Sequence, residues 1–179
     1  MDKAVFLDRD GTLIVDKLYL GDPDGVELPD DAVDAARKLE KAGYLLIVVS
    51  NQSGIGRGFF SEDAVEAVNA KMVEEYRKRG IEISDILFCP HNPEEAECEC
   101  RKPSPKMILD AAEKLAIDVS ASAMVGDRLT DPETGVAAGC GMNVLLAEAT
   151  PTDLPAGIVV ASGMEDAANL ILDWGNTPS

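Results

Sequence analysis

The stretch Ala4-Val5-Phe6-Leu7-Asp8-Arg9-Asp10-Gly11-Thr12 decides the fold of this chain. Its four apolar residues, which include a β-branched valine and a phenylalanine, are too few for a helix and predict a fully buried strand. Gly11 is the residue best able to take the strained dihedral angles of a turn after that strand. The strand therefore delivers Asp8 and Asp10 to one edge of a sheet, where both carboxylates can point into one pocket.

Two carboxylates so close together repel each other unless a cation lies between them. Mg²⁺ is the natural candidate, since it takes oxygen ligands and completes its shell with water and substrate phosphate. One carboxylate could then attack phosphorus to form an aspartyl-phosphate, while the other protonates the leaving oxygen. The alternative for a short D-x-D-G motif is a plain polar turn, and the motifs downstream argue against it.

The composition bounds the class of protein. The chain has 179 residues, 46% of them hydrophobic, and only four Phe, three Tyr and one Trp, so it predicts one domain with an aliphatic core. No apolar run approaches the roughly 20 residues of a membrane span. Residues 1–3 lead into the first strand without a signal-peptide pattern. We therefore expect a single cytoplasmic domain over residues 1–179.

The net charge of −17 argues against nucleic acid and anionic membrane surfaces as partners, because both need a basic face. It also disfavours a phosphorylated substrate unless cations gather where that substrate binds. Six cations lie in or beside the loops discussed below: Arg9, Arg57, Arg101, Lys102, Lys106 and Arg128. We expect a monomer that binds a phosphorylated small molecule and neither nucleic acid nor membrane.

Strands and helices alternate along the rest of the chain. Near-continuous apolar runs predict further buried strands at 44–49, 86–88, 123–126, 143–146 and 158–160. Apolar residues at helical spacing predict helices between them, with N-caps that include Ser61, Ser104 and Asp131. Because crossovers are right-handed, the carboxyl ends of these strands share one edge. The predicted fold is α/β, a Rossmann-like parallel sheet with helices on both faces.

Polar loops follow the predicted strands. The second strand leads into Ser50-Asn51-Gln52-Ser53-Gly54-Ile55-Gly56-Arg57-Gly58, whose hydroxyls, amides and glycines suit closure around phosphate oxygens. The segment Asp16-Lys17-Leu18-Tyr19 either lines the entrance of the pocket that holds Asp8 and Asp10 or is a surface loop. Arg101 and Lys102 precede a helix N-terminus and form either an anion site or a solvated pair of charges. Asp127 follows the fourth strand and is free to reach the metal.

Three of the four cysteines and the single histidine fall within residues 89–100. Cys89, His91, Cys98 and Cys100 supply three thiolates and an imidazole, a complete tetrahedral shell for a structural Zn²⁺. The alternatives are a disulfide, which a cytoplasmic chain disfavours, and unligated cysteines that merely cluster. Cys140 stands alone and is expected to be a buried small hydrophobe. We predict a small zinc-binding loop over residues 89–100.

In order and spacing, four motifs resemble those of the haloacid dehalogenase-like phosphohydrolases. They are Asp8-Arg9-Asp10-Gly11-Thr12, Ser50, Lys102, and Gly126-Asp127 with Asp131. More narrowly, Ser50-Asn51-Gln52-Ser53-Gly54-Ile55 and the Cys/His cluster running into Cys100-Arg101-Lys102-Pro103 look like the D-glycero-D-manno-heptose 1,7-bisphosphate 7-phosphatase branch. That branch is closely related to the histidinol-phosphate phosphatases, and neither carries a large cap domain.

The resemblance implies a role for each matching residue. Asp8 would be the nucleophile and Asp10 the general acid and then base, while Ser50 and Lys102 would bind the transferring phosphoryl group. Mg²⁺ would be held by Asp8, the backbone carbonyl of Asp10, and Asp127. The substrate-binding set would be Asp16, Lys17, Leu18, Tyr19, Asn51, Gln52, Ser53, Arg57, Arg101 and Arg128.

The function so implied is Mg²⁺-dependent hydrolysis of a phosphomonoester through an aspartyl-phosphate, most simply the 7-phosphate of the heptose bisphosphate. Histidinol-phosphate phosphatase is the enzymatic alternative. A third hypothesis is a non-catalytic module that uses the same pocket to sense a phosphorylated ligand, because fold alone does not fix function. Turnover assays with both substrates and with a small generic phosphate ester distinguish the three.

Overall fold

The computed structural model describes residues 1–94 and 98–176. Within them, six parallel strands form one sheet in the order β3-β2-β1-β4-β5-β6. The strands are β1 (Lys3–Leu7), β2 (Tyr44–Asn51), β3 (Asp85–Cys89), β4 (Ala123–Gly126), β5 (Met142–Leu146) and β6 (Val159–Ala161). The helices are α1 (Asp30–Lys41), α2 (Ser53–Gly56), α3 (Glu62–Lys78), α4 (Lys106–Leu115), α5 (Thr130–Ala138) and α6 (Met164–Gly175).

Both faces of the sheet are buried, as the near-continuous apolar runs predict. Val5 and Leu7 of β1 face the layer formed by α1, α3 and α6, in which Met72 is fully buried. Ala4 and Phe6 face the opposite layer, formed by α4 and α5. The predicted α/β architecture, with helices on both faces of a parallel sheet, is therefore confirmed.

The strand order places the two halves of the sheet on either side of β1. In such sheets ligands bind at the carboxyl edge where the order reverses, because the following loops diverge there and leave a crevice. Leu7 of β1 is level with Val48 of β2 and with Val125 of β4. The N–H of Asp8 donates to the carbonyl of Val125 at 3.0 Å. The loops after β1, β2 and β4 therefore meet at one place.

Two helix starts differ from the prediction, because side chains expected as caps have other partners. Ser104 donates its hydroxyl to the carbonyl of Glu99, and α4 begins two residues later, after Pro105. Asp131 lies inside the first turn of α5 instead of at its cap, since its carboxylate forms an ion pair with Lys102. A short helix, α2, also forms within the glycine-rich loop that follows β2.

No helix in the described ranges is both long enough and apolar enough to cross a bilayer. Cys140 is buried against the α4 side of the sheet, as predicted, and burial raises the pKa of its thiol to about 12. This thiol therefore behaves as part of the core and is not in the ligand group that Cys89, Cys98 and Cys100 form with His91.

Candidate active site

A cavity of about 920 Å³ opens at the carboxyl edge of the sheet. Most of the residues predicted to bind substrate or carry out catalysis line it: Asp8, Asp10, Asp16, Leu18, Tyr19, Ser50, Asn51, Gln52, Ser53, Arg101, Lys102 and Arg128. Asp131, Pro93 and Cys98 complete part of the wall. The structure thus gathers segments that are far apart in the chain, as the strand-end argument expects.

Lys102 lies at the floor of the cavity and is almost wholly buried. Its ammonium nitrogen is 2.8 Å from Asp8 Oδ1, 2.6 Å from Asp131 Oδ1 and 2.7 Å from the carbonyl oxygen of Val49. These contacts use all three donors of the ammonium group. Burial alone would lower the pKa of Lys102, but the two carboxylates outweigh it and raise that pKa. The positive charge is therefore fixed beside Asp8.

Asp127 forms a carboxylate cluster with Asp8 and Asp131, in which one oxygen from each lies within 4.8 Å of the others. Burial, and after it the charge of Asp8, raises the pKa of both Asp127 and Asp131 to about 6. Asp127 Oδ1 is buried and has no hydrogen-bond partner in the described parts of the chain. Three crowded oxygens with one of them unsatisfied fit a hard divalent cation such as Mg²⁺.

Gly11 makes room for this cluster. Its φ is +79°, in the left-handed region, as its predicted place in a strained turn requires. A Cβ at this position would overlap the Asp127 carboxylate. The turn after β1 and the loop after β4 therefore approach closely only because position 11 has no side chain.

The Asp10 carboxylate stands outside the three-carboxylate cluster. Its Oδ2 accepts hydrogen bonds from Arg9 Nε and Gln52 Nε2, both at 2.9 Å. Arg9 is 1% exposed, so a buried guanidinium neutralises the Asp10 carboxylate. The carboxylates of Asp8 and Asp10 therefore have separate cationic side chains beside them, Lys102 and Arg9, and Arg9 is removed from the cations available to a phosphate. The Mg²⁺ site stays a prediction.

Ser50 and Asn51, at the end of β2, have different partners. Ser50 is buried and its Oγ accepts a hydrogen bond from Gln52 Nε2 at 2.7 Å. Asn51 bonds the main chain of Lys102 twice: its Oδ1 accepts from the Lys102 N–H at 3.0 Å, and its Nδ2 donates to the Lys102 carbonyl at 3.2 Å. Asn51 thereby fastens the segment that carries Lys102 to the end of β2.

Arg101 and Arg128 supply positive charge at the cavity wall. Within the described residues, the buried Nη1 of Arg101 has no hydrogen-bond partner. Arg128 is two-thirds exposed, and its Nη2 lies 3.5 Å from Asp16 Oδ2. An unpaired buried guanidinium nitrogen in a cavity wall is a ready donor to an anionic oxygen.

Lys17 and Arg57, by contrast, are not among the described residues that line the cavity. Lys17 pairs with Glu27 at 3.1 Å, and Arg57 pairs with Glu94 at 2.9 Å. Each of the two side chains is drawn to a nearby carboxylate, which accounts for its position away from the substrate site.

Aromatic side chains pack around Tyr19, which lines the cavity, and around the glycines of the loops nearby. The rings of Tyr19 and Phe59 meet edge to face, with their centroids 4.7 Å apart. Phe60 lies between Gly21 and Gly54, where a Cβ on either glycine would overlap its ring. The loops after β1 and β2 are therefore joined above the sheet by aromatic packing.

The Cys/His cluster forms beside the cavity. Cys89 Sγ lies 3.4 Å from His91 Nδ1 and 3.5 Å from Cys98 Sγ, and Cys100 Sγ lies 3.3 Å from His91 Nδ1. Four ligands at zinc-bond distances from one centre are about 3.3–3.8 Å apart, so the set fits tetrahedral Zn²⁺. All four cysteines of the chain lie in its described part and are free thiols, which disagrees with the disulfide alternative.

The sequence motifs assign no catalytic or metal-binding role to three residues of this site. Asp131 belongs to the fourth motif, and its spacing from Asp127 is the signal that places it in the carboxylate cluster. The buried position of Arg9 has no sequence signature beyond its place between two aspartates. Asn69, which accepts a hydrogen bond from Arg9 Nη1 at 2.9 Å, gives no signal at all because it lies on α3 among residues of the core.

Here an aspartate follows the first strand of a parallel sheet, a serine lies in the second, and an acidic cluster bound by a lysine follows the fourth. This arrangement defines the haloacid dehalogenase-like hydrolases. A family model described as HAD-hydrolase-like matches residues 99–172. The chain is 40% identical over 176 residues to D-glycero-β-D-manno-heptose-1,7-bisphosphate 7-phosphatase of Photorhabdus laumondii, covering 95% of this chain and 89% of that protein. It is 42% identical over 156 residues to the enzyme of the same name from Haemophilus influenzae, covering 84% and 85%.

A solved structure leads to the same group. It is the structure of D,D-heptose 1,7-bisphosphate phosphatase from B. bronchiseptica, complexed with magnesium and phosphate. The two chains superimpose with a TM-score of 0.84 at 30% sequence identity, and the match covers 96% of this chain and 99% of that one. The chain belongs to the heptose bisphosphate phosphatase family of the haloacid dehalogenase-like hydrolases.

Proposed function

We propose that this protein removes the 7-phosphate of D-glycero-β-D-manno-heptose 1,7-bisphosphate by Mg²⁺-dependent hydrolysis through an aspartyl-phosphate. The observation that carries the proposal is the cavity floor, where Lys102 holds Asp8 beside a crowded carboxylate cluster with an unsatisfied oxygen on Asp127. The choice of substrate, and of its β-anomer, is supported by relatives of that name at about 40% identity.

The metal ligands on this proposal are Asp8, Asp127 and the backbone carbonyl of Asp10. Asp131 belongs to the cluster but is not proposed as a ligand, because its two oxygens already accept hydrogen bonds, one from Lys102 and one from the Arg128 N–H at 2.9 Å. When bound, the ion offsets the charge that gathers on the phosphoryl oxygens during transfer. Magnesium in the related B. bronchiseptica structure supports this choice of ion.

The chain's own groups divide the chemistry into two steps. Asp8 attacks phosphorus while Asp10 gives a proton to the leaving alcohol, and the P–O bond to that alcohol breaks. Asp10 then takes a proton from water, whose oxygen attacks the phosphoryl group and releases Asp8. Ser50 can donate its hydroxyl to an oxygen of the transferring group. Lys102, whose three N–H donors are already taken, offsets the charge of that group electrostatically, and it keeps its own charge because two carboxylates hold it.

The remainder of the substrate is proposed to occupy the outer cavity. Arg101, whose buried Nη1 has no partner in the described part of the chain, and Arg128 provide the positive charge that a second phosphate of a bisphosphate requires. Leu18 and Tyr19 offer apolar surface to the sugar, and Asp16, Gln52 and Ser53 offer hydrogen-bonding atoms beside it.

We also propose that Cys89, His91, Cys98 and Cys100 hold one structural Zn²⁺. The support is a four-ligand cluster of the right size, with Cys98 itself in the cavity wall. Zinc would thereby fix the approach to Arg101 and Lys102. The cytoplasm, where thiols stay reduced, remains the predicted location, and a monomer remains the predicted state.

The test is a substrate panel with Mg²⁺ that contains both anomers of the heptose bisphosphate, histidinol phosphate and p-nitrophenyl phosphate. We expect the highest kcat/KM for the β-anomer. Asp8→Asn should keep the fold, by circular dichroism, and lose at least about 10³-fold in turnover, because it removes the nucleophile. A higher kcat/KM for histidinol phosphate would replace the substrate assignment. Undiminished turnover by the Asp8→Asn protein would overturn the mechanism.

A further inference from the structure

Asn69 lies on α3, 6% exposed, and the only side-chain hydrogen bond that the described residues give it is accepted from the guanidinium of Arg9. Arg9 uses its other donors on the active site. Its Nε is 2.9 Å from Asp10 Oδ2, and its Nη2 is 3.3 Å from Asp10 Oδ1 and 3.0 Å from Gln52 Oε1. A helix residue that does not line the cavity is thus joined to Asp10 through one buried side chain.

Gln52 closes a ring with Arg9 and Asp10. Because a guanidinium has donors and no acceptor, the atom of Gln52 that faces Arg9 must be the carbonyl oxygen. The amide nitrogen is then forced to the other side, where it donates to Asp10 Oδ2 and to Ser50 Oγ. The position of Arg9 therefore fixes the orientation of the Gln52 amide as well as that of the Asp10 carboxylate.

The two oxygens of Asp10 are left unequal. Oδ2 accepts two hydrogen bonds at 2.9 Å, whereas Oδ1 accepts one at 3.3 Å. A proton on Oδ2 would meet two donor groups, so the proton that Asp10 exchanges must be carried by Oδ1. In the first step the Oδ1–H bond breaks as the alcohol leaves, and in the second Oδ1 takes a proton from the attacking water.

We propose that Asn69 is a positioning residue for acid–base catalysis, which acts through Arg9 to keep Asp10 Oδ1 directed at the leaving oxygen. The inference rests on the proposed phosphatase function. Without the Asn69 acceptor, a buried N–H of Arg9 loses its partner, and burying an unpaired donor is costly enough to turn the guanidinium toward other acceptors. Asp10 and Gln52 then lose their fixed orientations together.

The experiment compares Asn69→Ala and Asn69→Asp with the wild-type protein on two substrates. General acid catalysis is needed for an alkyl leaving group such as the heptose alcohol and is not needed for p-nitrophenolate, which leaves unprotonated. For Asn69→Ala we expect kcat/KM to fall about 10- to 100-fold with the heptose bisphosphate, within the contribution typical of a general acid. With p-nitrophenyl phosphate we expect it to change less than about twofold. Asn69→Asp retains the acceptor oxygen and should restore the alkyl activity.

Asn143→Ala is the matched control, because Asn143 is equally buried and bonds two backbone carbonyls, of Cys140 and Gly157, away from Asp10. It should leave both kcat/KM values unchanged. Equal losses on the two substrates, a wild-type kcat/KM in Asn69→Ala, or the same leaving-group dependence in Asn143→Ala would each overturn the inference. A wild-type protein that hydrolyses neither ester would instead refute the phosphatase function itself.

Discussion

Replacement of Asp127 by asparagine should stabilise the Mg²⁺-free protein at pH 8 and abolish its stabilisation by Mg²⁺. The wild-type carboxylate is crowded by Asp8 and Asp131, and its Oδ1 lacks a hydrogen-bond partner in the described residues. Asparagine keeps the shape of the side chain and removes the charge. One substitution therefore has opposite effects on stability with and without the ion.

The magnitude follows from the pKa of Asp127, which burial and the charge of Asp8 raise from 3.8 to about 6. Each pKa unit corresponds to about 1.4 kcal/mol, so the charge destabilises the folded state by at most about 3 kcal/mol. Because Asp127 is partly accessible to solvent, we expect about 1–3 kcal/mol, or about 3–10 °C in Tm for a domain of this size.

The sign with pH is set by the raised pKa. The folded state binds the Asp127 proton more tightly than the unfolded state does, so wild-type stability is lost as pH rises through about 6. The advantage of Asp127→Asn should accordingly be present at pH 8 and disappear at about pH 4. With Mg²⁺ at 100 times its Kd, the wild-type protein alone gains about 2.7 kcal/mol.

Thermal unfolding by circular dichroism measures both effects. Mg²⁺ is removed from the protein by gel filtration into a Mg²⁺-free buffer. This buffer contains no chelator, so that any zinc bound to the protein is retained. Asp153→Asn, which removes the same charge from an exposed position, is the control and should match the wild type. A Tm of Asp127→Asn at or below the wild-type value at pH 8, or an equal gain from Mg²⁺ in both proteins, would refute the reasoning.

Three further predictions concern the Cys/His cluster and the aromatic pair of Tyr19 and Phe59. Cys98→Ser should lower bound zinc, measured by elemental analysis, from one per chain to well below that, and should lower Tm. Zinc affinity of the wild type should rise with pH, because burial raises the pKa of the Cys89 thiol to about 12 and zinc must displace that proton; pH-independent affinity would contradict this. Phe59→Ala should raise KM for the heptose bisphosphate about 2- to 10-fold, the worth of an aromatic pair, since Phe59 supports Tyr19. Its kcat/KM for p-nitrophenyl phosphate should not change, and a loss on both substrates would indicate a general effect on the fold.

The sequence predicts best what the strand pattern controls. Asp8, Ser50 and Asp127 each lie at or just after the carboxyl end of a strand, and parallel strands bring such positions together whatever the intervening helices do. The same argument predicts that a pocket forms at that edge. Local spacing likewise brings Cys89 and Cys98 together beside it.

What the sequence does not predict is which of several partners a side chain takes. Arg9 pairs with Asn69, 60 residues away, and no local pattern distinguishes a solvated arginine from one enclosed in this way. Asp131 is a good cap residue, yet the attraction of a buried ammonium outweighs a backbone N–H at the helix start. Arg57 lies in a sequence predicted to bind phosphate, but its conformation is determined in part by Glu94, on another loop.

Arg101 and Arg128 line the cavity of a protein whose net charge is −17. A doubly phosphorylated sugar therefore approaches against a repulsive field, and the two guanidinium groups overcome it only within about 10 Å, the screening length at 0.1 M salt. Added salt weakens long-range repulsion more than close contact, so the encounter rate should rise with ionic strength. The same field repels the released phosphate ion, so the negative charge of the protein surface should speed the release of this product.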